Sequence, residues 1–280
     1  MKRPVLIKYL GSKVKLAPWI MERIGTVDSL VEPFCGGAAL FFEMRPGRGW
    51  LNDLGDWSTL VFEATRDDPR GLYDEVKRIG EHLYDPDAER RYYELRDSYL
   101  SKSDLTRAAS QIVLSATGFN GLTRFDKNGK WNVAFGKRYY PGSEIGIDRP
   151  VTSLYPYEHF LYYSNVLRNA RITNFDFEVV IDRCGPDDFV YCDPPYLEYN
   201  GGYLSRWTED DVKRLRGALD RFGDRGGRFA VSEMSSKGGV RHDRVFDLWS
   251  GLEYHERDYK YCVGVNSTKT PDREILFVSG

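Results

Sequence analysis

The chain has 280 residues, of which 41% are hydrophobic and 29% charged, a balance that is ordinary for a soluble globular protein. No apolar run approaches the roughly 18 residues that a membrane-spanning helix needs, and the first residues lack the apolar core of a signal peptide. The formal net charge of −2 argues against nucleic-acid binding through overall charge, although local clusters decide such binding.

The N-terminal part of the chain predicts a nucleotide-binding opening. Residues 28–34 are typical of a short strand and residues 35–37 of a tight glycine turn, after which a helix is expected. Strand, glycine turn and helix in this order open a doubly wound α/β fold. A second predicted strand at 49–52 ends in Asp53, a position where such folds bind a ribose hydroxyl. The spacing leaves open whether that ribose belongs to a dinucleotide or to S-adenosylmethionine.

The next segment changes to helical periodicity. Apolar side chains recur at helical spacing through residues 57–115, as at Leu72, Val76 and Ile79. We expect helices here, inserted between two halves of an α/β sheet. An Asn-Gly pair at 128–129, flanked by strand-forming residues, then predicts a hairpin.

A basic segment coincides with this predicted hairpin. Residues 121–138 contain five basic residues and one acid, Asp126. Six aromatic residues lie among or beside them: Phe119, Phe125, Trp131, Phe135, Tyr139 and Tyr140. Interleaved cations and rings can hold phosphates and stack on bases, so the segment indicates nucleic-acid binding. A solvated charged face is the alternative that charge alone leaves open.

After residue 155 the alternation of strands and helices resumes. Strands are predicted at 171–175, 189–192, 228–232 and 274–278. Thr208, with Asp211 three residues later, predicts the start of a helix. We therefore expect a mainly parallel, doubly wound α/β catalytic domain made of residues 1–56 and 155–280. Residues 57–154 form the predicted inserted recognition domain of helices and a β-hairpin.

The sharpest motif is Asp-Pro-Pro-Tyr at 193–196, directly after an apolar strand. The exocyclic amino group of adenine is a poor nucleophile, because the ring shares its lone pair. The Asp193 carboxylate and the Pro194 carbonyl could both accept its N–H bonds and hold the lone pair toward an incoming methyl group. Tyr196 could stack on a base extruded from the duplex. A rigid loop with ordinary packing of Tyr196 is the alternative interpretation.

Taken in order, several segments resemble the Dam-like branch of DNA adenine-N6 methyltransferases, the alpha group of the D12 class. The resembling segments cover nearly the whole chain and lie at 8–13, 32–38, 52–54, 118–125, 131–136, 176–177, 193–196, 266–267 and 273–276. The hairpin and the catalytic tetrapeptide are the specific ones. Two departures are Ala134, where a proline is common, and the pair Glu233-Met234, which could alter the pocket wall.

The resemblance implies S-adenosylmethionine as cofactor, double-stranded DNA as partner, and a role for each matching residue. The implied cofactor-binding residues are Tyr9, Lys13, Glu32, Phe34, Gly36, Asp53, Asp176, Phe177 and Asp193. The implied catalytic residues are Asp193, Pro194 and Tyr196. The implied DNA-binding residues are Phe119 as a wedge, Asn120, Leu122 and Arg124, with Lys127, Lys130, Lys137 and Arg138 on phosphates. Arg124 would read a guanine beside the target adenine, since arginine pairs well with the major-groove edge of guanine.

The resemblance further implies direct methyl transfer to a flipped adenine in a GATC-type or other GA-containing site. We expect a monomer without membrane association. The four cysteines match neither a zinc signature nor a disulfide framework and the four histidines show no metal spacing, so we expect no metal and a reducing cytoplasm. A cognate restriction endonuclease is one expected functional partner, while phage-encoded and solitary roles stay open. The alternatives are a methyltransferase of the same fold acting on RNA or a protein amide, and an inactive DNA-binding relative.

Overall fold

The computed structural model describes residues 5–7, 11–81, 83, 87–119, 122–126, 128–136, 155–197, 207–259 and 272–280. Its first elements are α1 (Ala17–Ile24), β1 (Ser29–Glu32), α2 (Ala39–Met44) and β2 (Arg48–Asn52). The predicted strand, glycine turn and helix are thus confirmed, with the first strand shorter at both ends than predicted.

Four helices follow where the apolar spacing predicts them. They are α3 (Asp56–Asp67), α4 (Pro69–Gly80), α5 (Ala88–Ser98) and α6 (Asp104–Thr117). Pro69 lies in the first turn of α4, where a missing N–H costs nothing, and the Asp68 side chain caps the helix by accepting the N–H of Gly71.

The alternation of strands and helices then returns, as predicted. The elements are α7 (Tyr157–Leu167), β3 (Ala170–Thr173), α8 (Phe177–Asp182), β4 (Phe189–Cys192), α9 (Glu209–Asp224), β5 (Arg228–Lys237), β6 (Val240–Arg241), α10 (Asp243–Leu248), β7 (Glu253–Tyr259) and β8 (Asp272–Val278). Thr208 caps α9 in a capping box with Asp211, which confirms the predicted helix start.

The strands form one sheet in the order β3-β2-β1-β4-β5-β8-β7, and β6 pairs with β5. The five strands from β3 to β5 are parallel, whereas β8 is antiparallel to both of its neighbours. The chain builds the sheet outward in opposite directions from β1 and β4. The carboxyl ends of these two strands therefore meet at a topological switch point, where sheets of this kind bind their ligands.

Alternate residues of the central strands enter two separate cores. Leu30 and Tyr191 face a core shared with α1 to α7, whereas Val31 and Val190 face a core shared with α8, α9 and α10. Because successive side chains of a strand point to opposite faces, helices cover both faces of the sheet. The doubly wound fold is confirmed. None of the described helices is long and apolar enough to cross a bilayer.

The inserted region shares the first of these cores. α3 packs against both α6 and α7, and buried residues of α4 and α6 join the same cluster as the strands. The predicted hairpin turn is present, since the N–H of Asp126 donates to the carbonyl of Lys130 at 2.9 Å. The described backbone pairing around it consists of two isolated bridges, from Gly118 to Phe135 and from Phe125 to Trp131.

Tyrosine hydroxyls supply further partners for the backbone of this region. The hydroxyl of Tyr99 accepts the N–H of Trp131 at 3.3 Å, and the hydroxyl of Tyr92 donates to the carbonyl of Val133 at 3.0 Å. Tyr92 also accepts the indole N–H of Trp131 at 2.9 Å. Buried backbone groups need such partners. The hairpin is therefore attached to the helices by side chains instead of being extended into strands.

This attachment corrects the prediction that the interleaved rings are available to bases. Trp131 is 1% exposed and Phe135 is 4% exposed, so both are core residues. The ring of Phe125 packs edge-on against Trp57 at 5.2 Å. Residues 131, 133 and 135 are buried, whereas residues 132 and 134 between them are exposed. This alternation is typical of an extended segment with one face toward the core, and the two rings lie on that face. Phe119, at 50% exposure, keeps its predicted surface position.

Candidate active site

A cavity of about 560 Å³ lies at the carboxyl ends of β1, β2 and β4. Its lining combines three segments that the sequence predicts to be functional, namely the glycine turn, the acidic position after β2 and the tetrapeptide after β4. Thr123 and Phe125 of the hairpin region also line it. The cavity therefore joins the switch point of the sheet to the inserted region.

Asp53 is hydrogen-bonded to the glycine turn. Its Oδ2 accepts the N–H of Gly36 at 3.0 Å, and its Oδ1 accepts the N–H of Gly55 at 3.2 Å. Gly36 has φ of 45°, a left-handed conformation that glycine adopts without strain. Burial raises the pKa of Asp53 to about 6, although the backbone N–H bonds favour the ionised form. The two predicted cofactor-binding features are thus brought together in one contact.

Glu32, at the end of β1, is 2% exposed and borders the cavity. Its Oε1 accepts the backbone N–H of Phe41 at 2.8 Å in the first turn of α2. Burial raises the pKa of Glu32 to about 8, against the effect of that N–H bond. The side chain therefore fixes the start of the helix beside the glycine turn.

Three aromatic rings form one wall of the cavity. Phe34 lies 5.2 Å from Phe177 and 5.6 Å from Trp207 between ring centroids. Asp176 caps α8 through the N–H of Glu178, and its Oδ1 lies 2.9 Å from Nη2 of Arg214. The predicted residues Phe34, Asp176 and Phe177 are therefore adjacent.

Sequence reasoning missed Trp207 and Arg214 in this wall. Arg214 lies over the ring of Phe177 at 4.8 Å. A signal for Trp207 existed, because it immediately precedes the N-cap Thr208 and therefore stands at the entrance to α9. The wall offers apolar ring surfaces with a carboxylate at their edge, which suits a purine ring.

The tetrapeptide after β4 holds its carboxylate against a buried lysine. Nζ of Lys13 lies 2.9 Å from Oδ1 of Asp193, and the Lys13 side chain is 5% exposed. Burial opposes the charge of Lys13, but the carboxylates of Asp193 and Glu274 outweigh it and raise the pKa of the lysine. Burial raises the pKa of Asp193, and Lys13 partly offsets this rise. A lysine and an aspartate 180 positions apart thus form one ion pair.

Tyr196 completes this group. Its hydroxyl lies 2.9 Å from Oε2 of Glu274 and 3.3 Å from Oδ1 of Asp193, and its ring centroid is 5.0 Å from Nζ of Lys13. At 9% exposure the ring is buried beside the cavity, which it lines together with Pro194. The predicted catalytic residues are therefore brought together around Lys13.

Two buried acids of the antiparallel edge were not predicted as site residues. Glu274 and Glu233 are each 1% exposed, and burial raises the pKa of Glu274 to about 7 and that of Glu233 to about 8. Lys13 lowers the pKa of both, but less than burial raises it. Their signal in the sequence was a glutamate inside an apolar strand. Met234, the other half of the Glu233-Met234 departure, does line the cavity.

The predicted DNA-binding residues have mixed surroundings. Arg124 is exposed, and its Nε donates to the carbonyl of Asn132 at 2.9 Å. Lys130 lies 3.2 Å from Asp97, and Leu122 is half-buried. Predicted site residues outside the described part of the chain are Tyr9, Asn120, Lys127, Lys137 and Arg138. Within the described part, no group of His, Cys, Asp or Glu could hold a metal ion.

The fold and the cavity together define the class. A parallel sheet with a ligand-sized cavity at its switch point, an acid after β2 and an Asp-Pro-Pro-Tyr loop after β4 is a Rossmann-like methyltransferase arrangement. The sequence profile of the D12 class N6 adenine-specific DNA methyltransferases matches residues 9–262. The chain belongs to this family and is an adenine-specific DNA methyltransferase.

Curated relatives agree with this assignment. The chain is 26% identical over 249 residues to the Type II methyltransferase M.MjaIII of Methanocaldococcus jannaschii, across 81% of this chain and 82% of the relative. It is 29% identical over 241 residues to the Type II methyltransferase M1.LlaDCHI of Lactococcus lactis, across 82% and 80%. It is 21% identical over 280 residues to the retron Ec67 DNA adenine methylase of Escherichia coli, across 98% and 91%.

Proposed function

We propose that the cavity binds S-adenosylmethionine and that the chain methylates N6 of an adenine flipped out of double-stranded DNA, within a GATC-type or other GA-containing site. The observation that carries the proposal is the Asp193 carboxylate, held by Lys13 at 2.9 Å on the wall of the cavity. The cofactor and the roles of individual residues are parts of this proposal, as is the recognition role of residues 57–154.

The described residues fit the cofactor. A volume of about 560 Å³ lies within the usual range of small-molecule sites. Asp53 can accept hydrogen bonds from ribose hydroxyls, while Phe34, Phe177 and Trp207 can enclose the purine. Asp193 also lines the cavity, and its carboxylate would complement the positive sulfonium of the methionine portion. When bound, S-adenosylmethionine supplies an electrophilic methyl group.

The protein side of the reaction is positioning and charge. We propose that Asp193 and the carbonyl of Pro194 accept the two N–H bonds of the target amino group, which turns its lone pair toward the methyl donor. The two prolines stiffen the loop and remove competing backbone donors. The ring of Tyr196 lies beside Asp193 and would stack on the flipped base.

On the DNA side, we propose that Arg124 reads a guanine next to the adenine and that Phe119 enters the duplex as a wedge. The exposure of Phe119 and Arg124 supports these roles. The other basic residues of 121–138 would bind phosphates, which position a duplex without specifying its sequence. We propose a monomer. A cognate restriction endonuclease as functional partner is proposed because two relatives are named Type II methyltransferases.

Adenine methylation should be sequenced across the genome of a host that lacks it and that expresses this chain. We expect N6-methyladenine in one short motif containing GA, and none with the Asp193→Ala variant at equal expression. No methyladenine, despite demonstrable S-adenosylmethionine binding, would overturn the proposed substrate. Methylation of RNA in the same cells would point to the alternative substrate class.

A further inference from the structure

Three buried side chains and the half-buried Asp193, from three parts of the chain, form a closed ring. Lys13 binds Asp193 at 2.9 Å, Asp193 lies 3.3 Å from the hydroxyl of Tyr196, and that hydroxyl lies 2.9 Å from Oε2 of Glu274. Oε1 of Glu274 returns to within 3.8 Å of Nζ of Lys13. At this distance it is an ion-pair contact but not a hydrogen bond, and Oε1 has no hydrogen-bond partner among the described residues.

The proposed reaction produces one proton that must leave the amino group. When the N6 nitrogen forms its bond to the methyl carbon, the carbon–sulfur bond breaks and its electron pair stays on sulfur. The nitrogen then carries a methyl group, two hydrogens and a positive charge. One N–H bond must break, with its electron pair returning to nitrogen. Asp193 accepts one of those N–H bonds in the proposed geometry, so its carboxylate is the first base within reach.

We propose that Glu274 is the final acceptor of this proton, which reaches it from Asp193 through the hydroxyl of Tyr196. The inference rests on the proposed function and extends it by one residue. Asp193 takes the proton from nitrogen and passes it to the oxygen of Tyr196. In the same step the Tyr196 hydroxyl gives its own hydrogen to Oε2 of Glu274. Asp193 is again ionised, Tyr196 is unchanged, and Glu274 is neutral.

The hydroxyl geometry suits this transfer. A tyrosine hydroxyl carries one hydrogen, so between two carboxylates it donates to one and offers a lone pair to the other. The nearer oxygen belongs to Glu274, at 2.9 Å against 3.3 Å for Asp193. The hydrogen therefore points to Glu274, and the lone pair faces the carboxylate that receives the substrate proton.

The charges around Glu274 favour a proton there after the reaction. Lys13 is the cation of the ring and is paired with Asp193, so two adjacent ionised acids would leave a buried excess of negative charge. Glu233, on the neighbouring strand β5, is a third buried acid, but burial raises its pKa to about 8, so it is mainly neutral near pH 7. Arg257, the register partner of Glu274 on β7, is exposed. Burial, against the opposing effect of Lys13, raises the pKa of Glu274 to about 7, so it both accepts and releases a proton near neutral pH.

Release follows the same path in reverse. The side chain of Asp193 is 22% exposed, whereas that of Glu274 is 2% exposed. Once the methylated base has left, water can reach Asp193. The proton then returns from Glu274 through the hydroxyl of Tyr196 to the carboxylate of Asp193, which gives it to water. The ring therefore holds the proton away from the product until the site opens. This makes Glu274 a positioning and proton-accepting residue that acts through Tyr196 without touching the substrate.

The test is the single-turnover methylation rate of a duplex containing the target site, measured from pH 5.5 to 9. For the wild type we expect the rate to rise as pH increases through about 7, because ionised Glu274 is the form that can accept. Glu274→Gln keeps an oxygen for the Tyr196 hydroxyl but cannot take the proton. We expect it to be slower by about 10²-fold and to lose the rise. Tyr196→Phe, which keeps the ring, should show the same two changes.

The double variant of Glu274→Gln and Tyr196→Phe should be no slower than either single variant. Each substitution interrupts the same proton path from Asp193 to Glu274, so their effects should not add. Glu233→Gln is the matched control, because it neutralises an equally buried acid that has no described hydrogen bond to Tyr196 or Asp193. Because Glu233 is mainly neutral near pH 7, this variant should keep the rise in rate through about pH 7. A wild-type rate and pH profile for Glu274→Gln would overturn the inference, as would a retained rise in Tyr196→Phe. An inactive wild type that binds S-adenosylmethionine would instead refute the proposed function.

Discussion

Trp57 and Trp131 stack face to face, with ring centroids 4.3 Å apart and an interplanar angle of 6°. Trp57 opens α3 and lines the cavity, whereas Trp131 belongs to the hairpin. The stack therefore joins the wall of the proposed cofactor site to the region proposed to read DNA. It gives the two sites a direct contact through one pair of rings.

Replacing Trp131 should affect both regions. Trp131→Phe shortens the stack and removes the indole N–H bond to Tyr92, which is 2.9 Å long. We expect a loss of about 1–3 kcal/mol in the free energy of unfolding and weaker S-adenosylmethionine binding. Denaturant unfolding and cofactor titration measure the two effects. Tyr92→Phe removes this bond together with the bond to the Val133 carbonyl but leaves the stack in place, so it shows how much of the effect belongs to the hydroxyl. Unchanged stability and affinity in Trp131→Phe would contradict the expectation.

Arg124→Ala should relax the preference for guanine beside the target adenine by about 1–3 kcal/mol. The reason is that arginine forms two hydrogen bonds with the major-groove edge of guanine. Competition between cognate and single-substitution duplexes measures the ratio of kcat/KM. Lys130→Ala is the comparison, since a phosphate contact should weaken binding to all sequences alike. An Arg124→Ala enzyme with the original sequence preference would refute its assignment.

Asp193→Ala should abolish methyl transfer while duplex binding survives, because the carboxylate that orients the amino group is gone. The variant also leaves Lys13 buried without its 2.9 Å partner, with Glu274 at 3.8 Å as the remaining carboxylate contact. We therefore expect a lower unfolding temperature as well. Methylation assays, gel-shift titration and thermal unfolding measure the three properties. Turnover close to that of the wild type would exclude the catalytic role.

Asp53→Asn should weaken S-adenosylmethionine binding by about tenfold, since hydrogen bonds to a charged acceptor are the stronger ones. The pKa of about 6 adds a pH dependence. Below pH 6 the carboxyl takes a proton and ceases to be a charged acceptor, so wild-type affinity should fall there. The variant should be flat over the same range. Equal affinity at pH 5 and pH 8 in the wild type would count against Asp53 as the ribose ligand.

Glu233→Gln should stabilise the protein, and more so at higher pH. The pKa of Glu233 is raised from 4.5 to about 8 by burial, so the folded state keeps a proton that the unfolded state loses. The contribution of Glu233 to the free energy of unfolding is therefore most favourable below pH 4.5. It is lost progressively as pH rises to 8. The neutral amide avoids that loss. We expect a gain of about 2 kcal/mol at pH 8 and little difference at pH 4.5. An equal difference in the free energy of unfolding between the two proteins at pH 4.5 and at pH 8 would disprove this prediction.

Local signals in the sequence predicted most of the fold. The strand at 189–192, the capping box of Thr208 and the glycine turn each depend on residues close together in the chain. The contact of Asp53 with the glycine turn was also predictable, because adjacent parallel strands bring their carboxyl ends to one edge of the sheet.

Contacts between distant segments were not predictable in the same way. The ring that contains Lys13 and Glu274 spans nearly the whole chain, and nothing near either residue specifies its partner. Trp131 and Phe135 were misassigned to bases because composition does not distinguish an inward ring from an outward one. That distinction came from the period of two in the hairpin and from the tyrosines of the neighbouring helical segment.

The attachment of the hairpin by tyrosine hydroxyls bears on attempts to change the DNA site by exchanging segments between enzymes. A graft limited to residues 122–136 would leave the N–H of Trp131 and the carbonyl of Val133 without Tyr99 and Tyr92. A working exchange would need to carry residues 88–99 and the ring of Trp57 along with the loop. The smallest transplantable unit is thus larger than the segment that would touch the bases, and its boundary is set by the partners of the backbone.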